Sequence, residues 1–359
     1  MADAIVGAAE HLFPGKYQFQ LADIMADGFA FPLNLAGRMY GPVVNRFHRS
    51  WGLLWHLTNG RRRSALILKI VSPLAATRLR RILHNSKPDL IISTHPWANH
   101  IPIWLLRELG WKIPLVTVVT DLVSIHHWWL SPEVDLCLVP SEEVRQKALE
   151  VGFEPEKLKV VGIPVELEFL NPSATQGKVR KTLGLAEGLF TVLVTGGGDG
   201  MGKVFPVARA VAQASLDVQL LIVTGRNEKL RSKLEEVPWE VPTRILGFAD
   251  DMSVLMHAVN LVVSKAGPST ISEALACGLP LLISGSLRGQ EEGNAEWVVE
   301  SGAALWTPTP QKVVAALKEL LQPGNEALTA MAENARQAAR PRASLEAARV
   351  IDDLCSKAG

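Results

Sequence analysis

No stretch of this sequence approaches the ~20 consecutive apolar residues that a helix needs to span a bilayer, and no signal peptide is visible. Cysteine is scarce. Cys137, Cys277 and Cys355 are odd in number and far apart, which excludes a disulfide framework and a cysteine metal cluster. A reduced, cytoplasmic setting fits. Acidic side chains are missing from one long span: between Gly28 and Pro88 there is no Asp or Glu. Two phosphate-binding fingerprints are missing as well. The run Gly196-Gly197-Gly198-Asp199-Gly200-Met201-Gly202-Lys203 lacks the lysine-and-hydroxyl ending of a P-loop. It also lacks the acidic residue about 20 positions on, at a strand end, that a dinucleotide fingerprint carries.

The acid-free span holds Arg38, Arg46, Arg49, Arg61, Arg62, Arg63, Lys69, Arg78, Arg80, Arg81 and Lys87. Net charge over 359 residues is only +1, so the basic excess is local. Phe29, Phe31, Tyr40, Phe47, Trp51 and Trp55 are interleaved with it. Cations with large aromatics suit an anionic membrane surface, where each basic side chain contributes about 1 kcal/mol. The alternatives are a solvated basic face over a core of aromatics and, less favoured, a nucleic-acid face. We expect the membrane surface, through residues 28–88, and no nucleic acid.

With 48% hydrophobic residues the chain has ample material for a core, and its length suggests two domains. Residues 2–12 read as helix, and residues 17–24 alternate like a strand. Apolar runs then recur as strands at 89–93, 113–121, 136–141 and 159–164, with Ser141 placed to cap a helix over 142–151. From 164 to 188 the pattern lapses into Pro, Gly, Asn, Ser and charge. It restarts at 190–195, and strands follow at 219–225, 243–248, 261–263 and 279–283. Helices near 311–322 and 326–357 close the chain. Strands alternating with helices predict an α/β fold with parallel sheets. We expect a first domain over 1–165, a linker over 166–188, a second domain over 189–335 and a C-terminal helix over 336–359. A cleft between two such halves, outside the carboxyl ends of the strands, is where ligands are expected.

Three segments carry chemistry. Leu261-Val262-Val263 runs into Ser264-Lys265-Ala266-Gly267-Pro268-Ser269-Thr270, then a short helix that Gly278-Leu279-Pro280 stops. A tight turn from strand to helix N-terminus leaves backbone N–H groups for an anion such as phosphate. The Gly196–Gly202 loop can cradle a diphosphate. Gly289-Gln290-Glu291-Glu292-Gly293-Asn294 offers amides and carboxylates to hydroxyl-rich ligands, or is an exposed turn. His95, His100, His126 and His127, with Asp121, fall near strand ends of the first half as acid/base or polar-contact candidates. Their spacing supports no metal site.

Together these segments resemble the monogalactosyldiacylglycerol synthases, which share the GT-B fold with the peptidoglycan N-acetylglucosaminyltransferase. The resemblance rests on Ser264–Pro280 and the Gly289–Asn294 loop. It extends to Thr94-His95-Pro96 with His100, Val119-Thr120-Asp121-Leu122 with His126 and Trp129, Pro140-Ser141 with Val144, and Val160–Val165. It implies two Rossmann-like domains and inverting transfer of galactose or glucose from a UDP-sugar to diacylglycerol, with no metal and no cofactor beyond the donor. It implies pyrophosphate at Gly267, Pro268, Ser269 and Thr270, ribose at Glu273 and the base near Phe248. Gly197 and Gly198 would approach the sugar phosphate, Gln290 and Glu291 would hold sugar hydroxyls, and Asn294 would support that loop. His95, Asp121 and His126 are the catalytic candidates. The implied location is peripheral, at the cytoplasmic face of a membrane.

One departure stands out. The family's first strand leads into a Gly-rich loop with a histidine implicated in catalysis, whereas Met1-Ala2-Asp3-Ala4 reads as the helix after that loop. The expectation is a truncated start, and with it a UDP-sugar-binding protein of little activity as one alternative. A peptidoglycan-type transferase is the other.

Overall fold

Apart from residues 30–32, 36, 38–47, 171–174 and 359, the computed structural model describes the whole chain. Phe31, Arg38, Tyr40, Arg46 and Phe47 lie outside the described residues, as do the side chains of Arg49, Arg61 and Arg62.

The chain forms two compact units. The first holds a parallel sheet of four strands in sequence order, β1 (Ile91–Ser93), β2 (Leu115–Val118), β3 (Leu136–Val139) and β4 (Leu158–Val160). Strand side chains alternate between faces. One face buries Val116, Val118, Leu136 and Leu138 under helices Ala2–Leu12 and Ala343–Ala358. The other buries Leu115, Cys137 and Val139 with Val144 and Ala148 of helix Glu142–Val151. Burial pushes the Cys137 thiol up to about 12, so it is an inert core residue. Ser141 caps that helix, accepting from Val144 N–H at 3.4 Å.

The alternating run 17–24 is not a strand. Asp23 Oδ1 accepts from Met25 and Ala26 N–H, a local turn that competes with extended pairing. Tyr17 turns to the C-terminal helix and donates to Asp352.

The second unit holds six parallel strands, β5 (Phe190–Thr195), β6 (Val218–Val223), β7 (Thr243–Leu246), β8 (Leu261–Lys265), β9 (Leu281–Gly285) and β10 (Ala304–Trp306). Their order is β10-β9-β8-β5-β6-β7. Central strands are buried on both faces, which is why β5, β6, β8 and β9 read as near-continuous Val/Leu/Ile runs. The short strand β10 has two exposed residues, Leu305 and Trp306, and its sequence lacks that signal. The order reverses between β5 and β8. That is the topological switch point of a doubly wound sheet, beside which ligands bind at the strands' carboxyl ends.

The units divide between Glu166 and Leu167, and residues 288–290 and 342–359 belong to the first. The irregular stretch 166–188 is therefore more than a linker. It contains helix Gln176–Leu183, which Arg180 anchors by donating to the carbonyls of Ala258 and Glu187 and to Asn260 Oδ1, each at 2.8 Å. The closing helix is two helices, Ala327–Ala338 in the second unit and Ala343–Ala358 in the first, separated by a segment containing Pro341.

Candidate functional site

β8 delivers the chain into Ala266 and Gly267, and the helix Pro268–Ala276 begins at once. Gly267 is its N-cap and makes no side-chain cap. Pro268 at the first position gives up no useful donor, because that N–H has no partner inside a helix. The N–H groups of Ser269 and Thr270 likewise have no partner within the helix, by its geometry. With the helix dipole they make a positive pole that favours an anion. Glu273 lies one turn further on.

The Gly196–Gly202 loop follows β5, on the other side of the switch point. Its glycines are required by close backbone approach. A Cβ on Gly196 would lie 2.2 Å from Met201 O, and one on Gly225, at φ +58°, 2.3 Å from Gly198 O. Arg226 N–H donates to Gly198 O at 2.8 Å, and Asn227 Nδ2 to Gly200 O at 3.3 Å. The Arg226 guanidinium stacks over Phe248 at 4.1 Å, and Phe248 is 47% exposed. The Phe248 ring edge comes within 4.0 Å of where a Gly198 side chain would start. So Gly197, Gly198 and Phe248 border one surface, and Arg226, absent from the sequence reading, shares it.

Behind the helix start lies a buried strap. Lys265, the last residue of β8, is ion-paired with Glu291, whose other oxygen accepts from Leu287 N–H at 3.0 Å. Fully buried Asn294 donates from Nδ2 to Ala266 O at 3.3 Å. Glu291 and Asn294 thus fasten their loop to the turn at Gly267. Gln290 is in the first unit, as is Gly289, where a Cβ would lie 2.5 Å from Trp55. Lys265 carries no motif signal. A lysine ending a buried strand was its only sign.

In the first unit the strand ends gather histidines into an aromatic cluster. His126 is 4% exposed. Its Nδ1 accepts from Trp128 N–H at 3.2 Å, so the proton belongs on Nε2, which faces Thr58 Oγ1 at 3.2 Å. Trp55 packs edge-on against the ring at 4.8 Å. Both ring nitrogens are engaged, and burial pushes the group down to about 4. Burial thus favours the neutral form of the His126 ring. His95 Nδ1 accepts from Trp97 N–H at 3.3 Å, and burial pushes it down to about 4 too. His100 faces Trp128 O at 3.1 Å and is lowered likewise. Asp121 Oδ2 accepts from Trp129 Nε1 at 2.7 Å, which fixes the carboxyl's orientation.

Of the described aromatics of the basic span, Trp51 is half-buried and two others lie in the interior. Phe29 is wholly buried and Trp55 nearly so, because their rings pack on Trp97 and His126. Among the described residues of the span the most exposed apolar side chains are aliphatic: Leu53, Leu54 and Leu57 on helix His48–Thr58, and Leu66 and Ile70 on helix Arg61–Ser86, between 50% and 63% exposed. Arg63 and Lys69 are exposed beside them. Among the described residues no helix is long and apolar enough to cross a membrane.

Two units of parallel sheet, with anion-favouring turns at the switch point of the second, have the architecture of the GT-B fold. Solved structures agree on the fold. MurG of Acinetobacter baumannii superposes with a TM-score of 0.54 at 19% identity, over 78% of this chain and 77% of that one. HepE of Anabaena, in complex with UDP-glucose, gives 0.55 at 19%, over 79% and 82%. Residues 1–165 match the family Monogalactosyldiacylglycerol (MGDG) synthase, and residues 191–347 match the Glycosyltransferase family 28 C-terminal domain. Monogalactosyldiacylglycerol synthase 1, chloroplastic, of Arabidopsis thaliana is 34% identical over 99% of this chain and 68% of its own length. Synthase 2 of the same plant is 34% identical over 100% and 78%. The probable synthase of Nicotiana tabacum is 36% identical over 95% and 65%. The chain belongs to the monogalactosyldiacylglycerol synthase family.

Proposed function

We propose that this protein transfers a hexose, galactose in the first instance, from a UDP-sugar to 1,2-diacylglycerol, with inversion at the anomeric carbon. The observation that carries the reading is the placement of both anion-favouring turns at one switch point, in a chain whose named relatives match along its whole length. The diphosphate sits at Gly267–Thr270, with ribose at Glu273, the base beside Phe248 and the sugar phosphate over Gly197 and Gly198.

On the acceptor side, Asp121 is the base we favour over the histidines. His95 and His126 each hold a backbone N–H on Nδ1, and their lowered proton affinity makes them weak bases at neutral pH. The acceptor hydroxyl oxygen bonds to the anomeric carbon as the bond to the diphosphate breaks. The hydroxyl proton passes to the Asp121 carboxylate, and UDP leaves with its charge against the helix N-terminus. The aliphatic ridge, with Arg63 and Lys69, seats the protein peripherally on an anionic surface. We assign the cytoplasmic face, consistent with three unpaired cysteines.

The test is to incubate the protein with diacylglycerol liposomes and labelled UDP-galactose or UDP-glucose. Galactolipid with a β-linkage is the expected product. Glucolipid alone overturns the choice of hexose, and UDP binding without either product leaves only a donor-binding protein.

A further inference from the structure

We propose that Lys265 and Glu291 are a counterion-exchange pair that couples the donor's hexose to the hold on its diphosphate. The inference rests on the donor-site reading above. Lys265 and Glu291 are ion-paired with their side chains 17% and 3% exposed, so the contact is not a loose surface bridge. The ammonium lies against the start of helix Pro268–Ala276: a side chain on Gly267 would bring its Cβ within 2.9 Å of Nζ. Gly202 of the glycine loop is close to the same lysine, its would-be Cβ 3.9 Å from Lys265 Cβ. A cation at the positive end of a helix is unfavourable by itself. Ammonium and helix N-terminus nevertheless converge here, between the two anion-favouring turns. A carboxylate occupies the place where a diphosphate would be drawn.

Glu291 relieves that clash while the donor is absent, and its own charge opposes an arriving diphosphate. When UDP-hexose binds, the diphosphate oxygens take over the Lys265 N–H donors. Glu291 Oε1, released, accepts from hexose hydroxyls, while Oε2 stays on Leu287 N–H as a fixed pivot. No covalent bond changes, and each charged group exchanges one partner for another. UDP alone must break the pair without supplying hydroxyls to Glu291. Once the hexose has gone to the acceptor, Glu291 returns to Lys265 and weakens the hold on UDP. The pair therefore favours substrate over product and speeds product departure.

Calorimetric titration of UDP and of UDP-galactose into the wild type, Lys265→Met, Glu291→Gln and the double variant tests this. The wild type should bind UDP-galactose more tightly than UDP. Glu291→Gln should bind UDP at least about threefold more tightly than the wild type and lose the preference for UDP-galactose, because a neutral amide no longer competes. Lys265→Met should weaken UDP at least about tenfold, and adding Glu291→Gln to it should recover part of the loss. A Glu291→Gln variant that binds UDP no more tightly than the wild type overturns the exchange. If Lys265→Met does not fold, the nearly isosteric Glu291→Gln decides alone. A wild type that binds no UDP at all overturns the donor-site reading instead.

Discussion

His126 shows how much one side chain can set. It is held neutral by burial, down from 6.5 to about 4, with His95 and His100 in the same state. In the unfolded chain each of them takes a proton as pH falls through 6.5, and in the native fold only near 4. The unfolded state thus binds more protons across that window, so stability is full above it and falls as pH drops from 6.5 toward 4. By this linkage each histidine removes about 2 kcal/mol between pH 7 and pH 5. Urea unfolding at the two pH values should show it, and His126→Gln should lose about one histidine's share of the pH dependence. A glycine makes the second residue-scale prediction. Gly225→Ala places a methyl 2.3 Å from Gly198 O in a left-handed backbone conformation. It should cost about 2–4 kcal/mol in thermal unfolding and displace the loop at Gly197 and Gly198.

At the scale of elements, the exposed ridge gives the clearest prediction. Leu66 and Ile70 lie one helical turn apart and point outward, whereas Ser64, Leu68 and Ser72 are buried. Replacing both Leu66 and Ile70 by Glu should change stability by no more than about 0.5 kcal/mol per site, since neither is in the core. Sedimentation with anionic vesicles should show binding reduced at least about tenfold, most strongly at low salt. Unchanged vesicle binding removes the ridge from the membrane contact. The Ser141 cap is a smaller case. Ser141→Ala should cost about 1 kcal/mol by loss of its bonds to Val144 N–H and Leu122 O.

Elements were also where the sequence was most and least legible. Strands β5, β6, β8 and β9 announced themselves because burial on both faces leaves near-continuous apolar runs. The helix over 142–151 announced itself by its cap. β10 was hidden, since an exposed strand of three residues has no such run. The ridge was hidden because composition cannot tell which aromatics face inward. Phe29 and Trp55 drew attention to the span, yet among its described residues the most exposed apolar ones are leucines and an isoleucine that only helix phase identifies. The strand-to-helix turn at Gly267 was legible from its small residues and stop signal. Lys265 was not, because its partner lies 26 positions away and only the fold brings them together.

At the scale of the molecule, the last helix matters most. Ala343–Ala358 packs on helix Ala2–Leu12, and Asp352 takes Lys16 and Tyr17. It buries Ala347 and Ile351 against Val116, Val118, Leu136 and Leu138 of the first sheet. Deleting residues 342–359 should expose that face and aggregate the first unit. The second unit, whose residues 167–287 and 291–341 are all retained, should keep its own melting transition. Calorimetry of the two lengths would separate the effects.

The same helix imposes an order in time. A ribosome emits residues 1–166 first, yet one face of the first sheet has only helix Ala2–Leu12 over it until residues 343–358 emerge. The second unit is completed earlier, though it is encoded later. During synthesis the first unit waits unfinished, with its apolar face exposed, while the second is already finished. Translation stalled near residue 341 would therefore leave a chain competent to bind UDP and dependent on a chaperone for everything else.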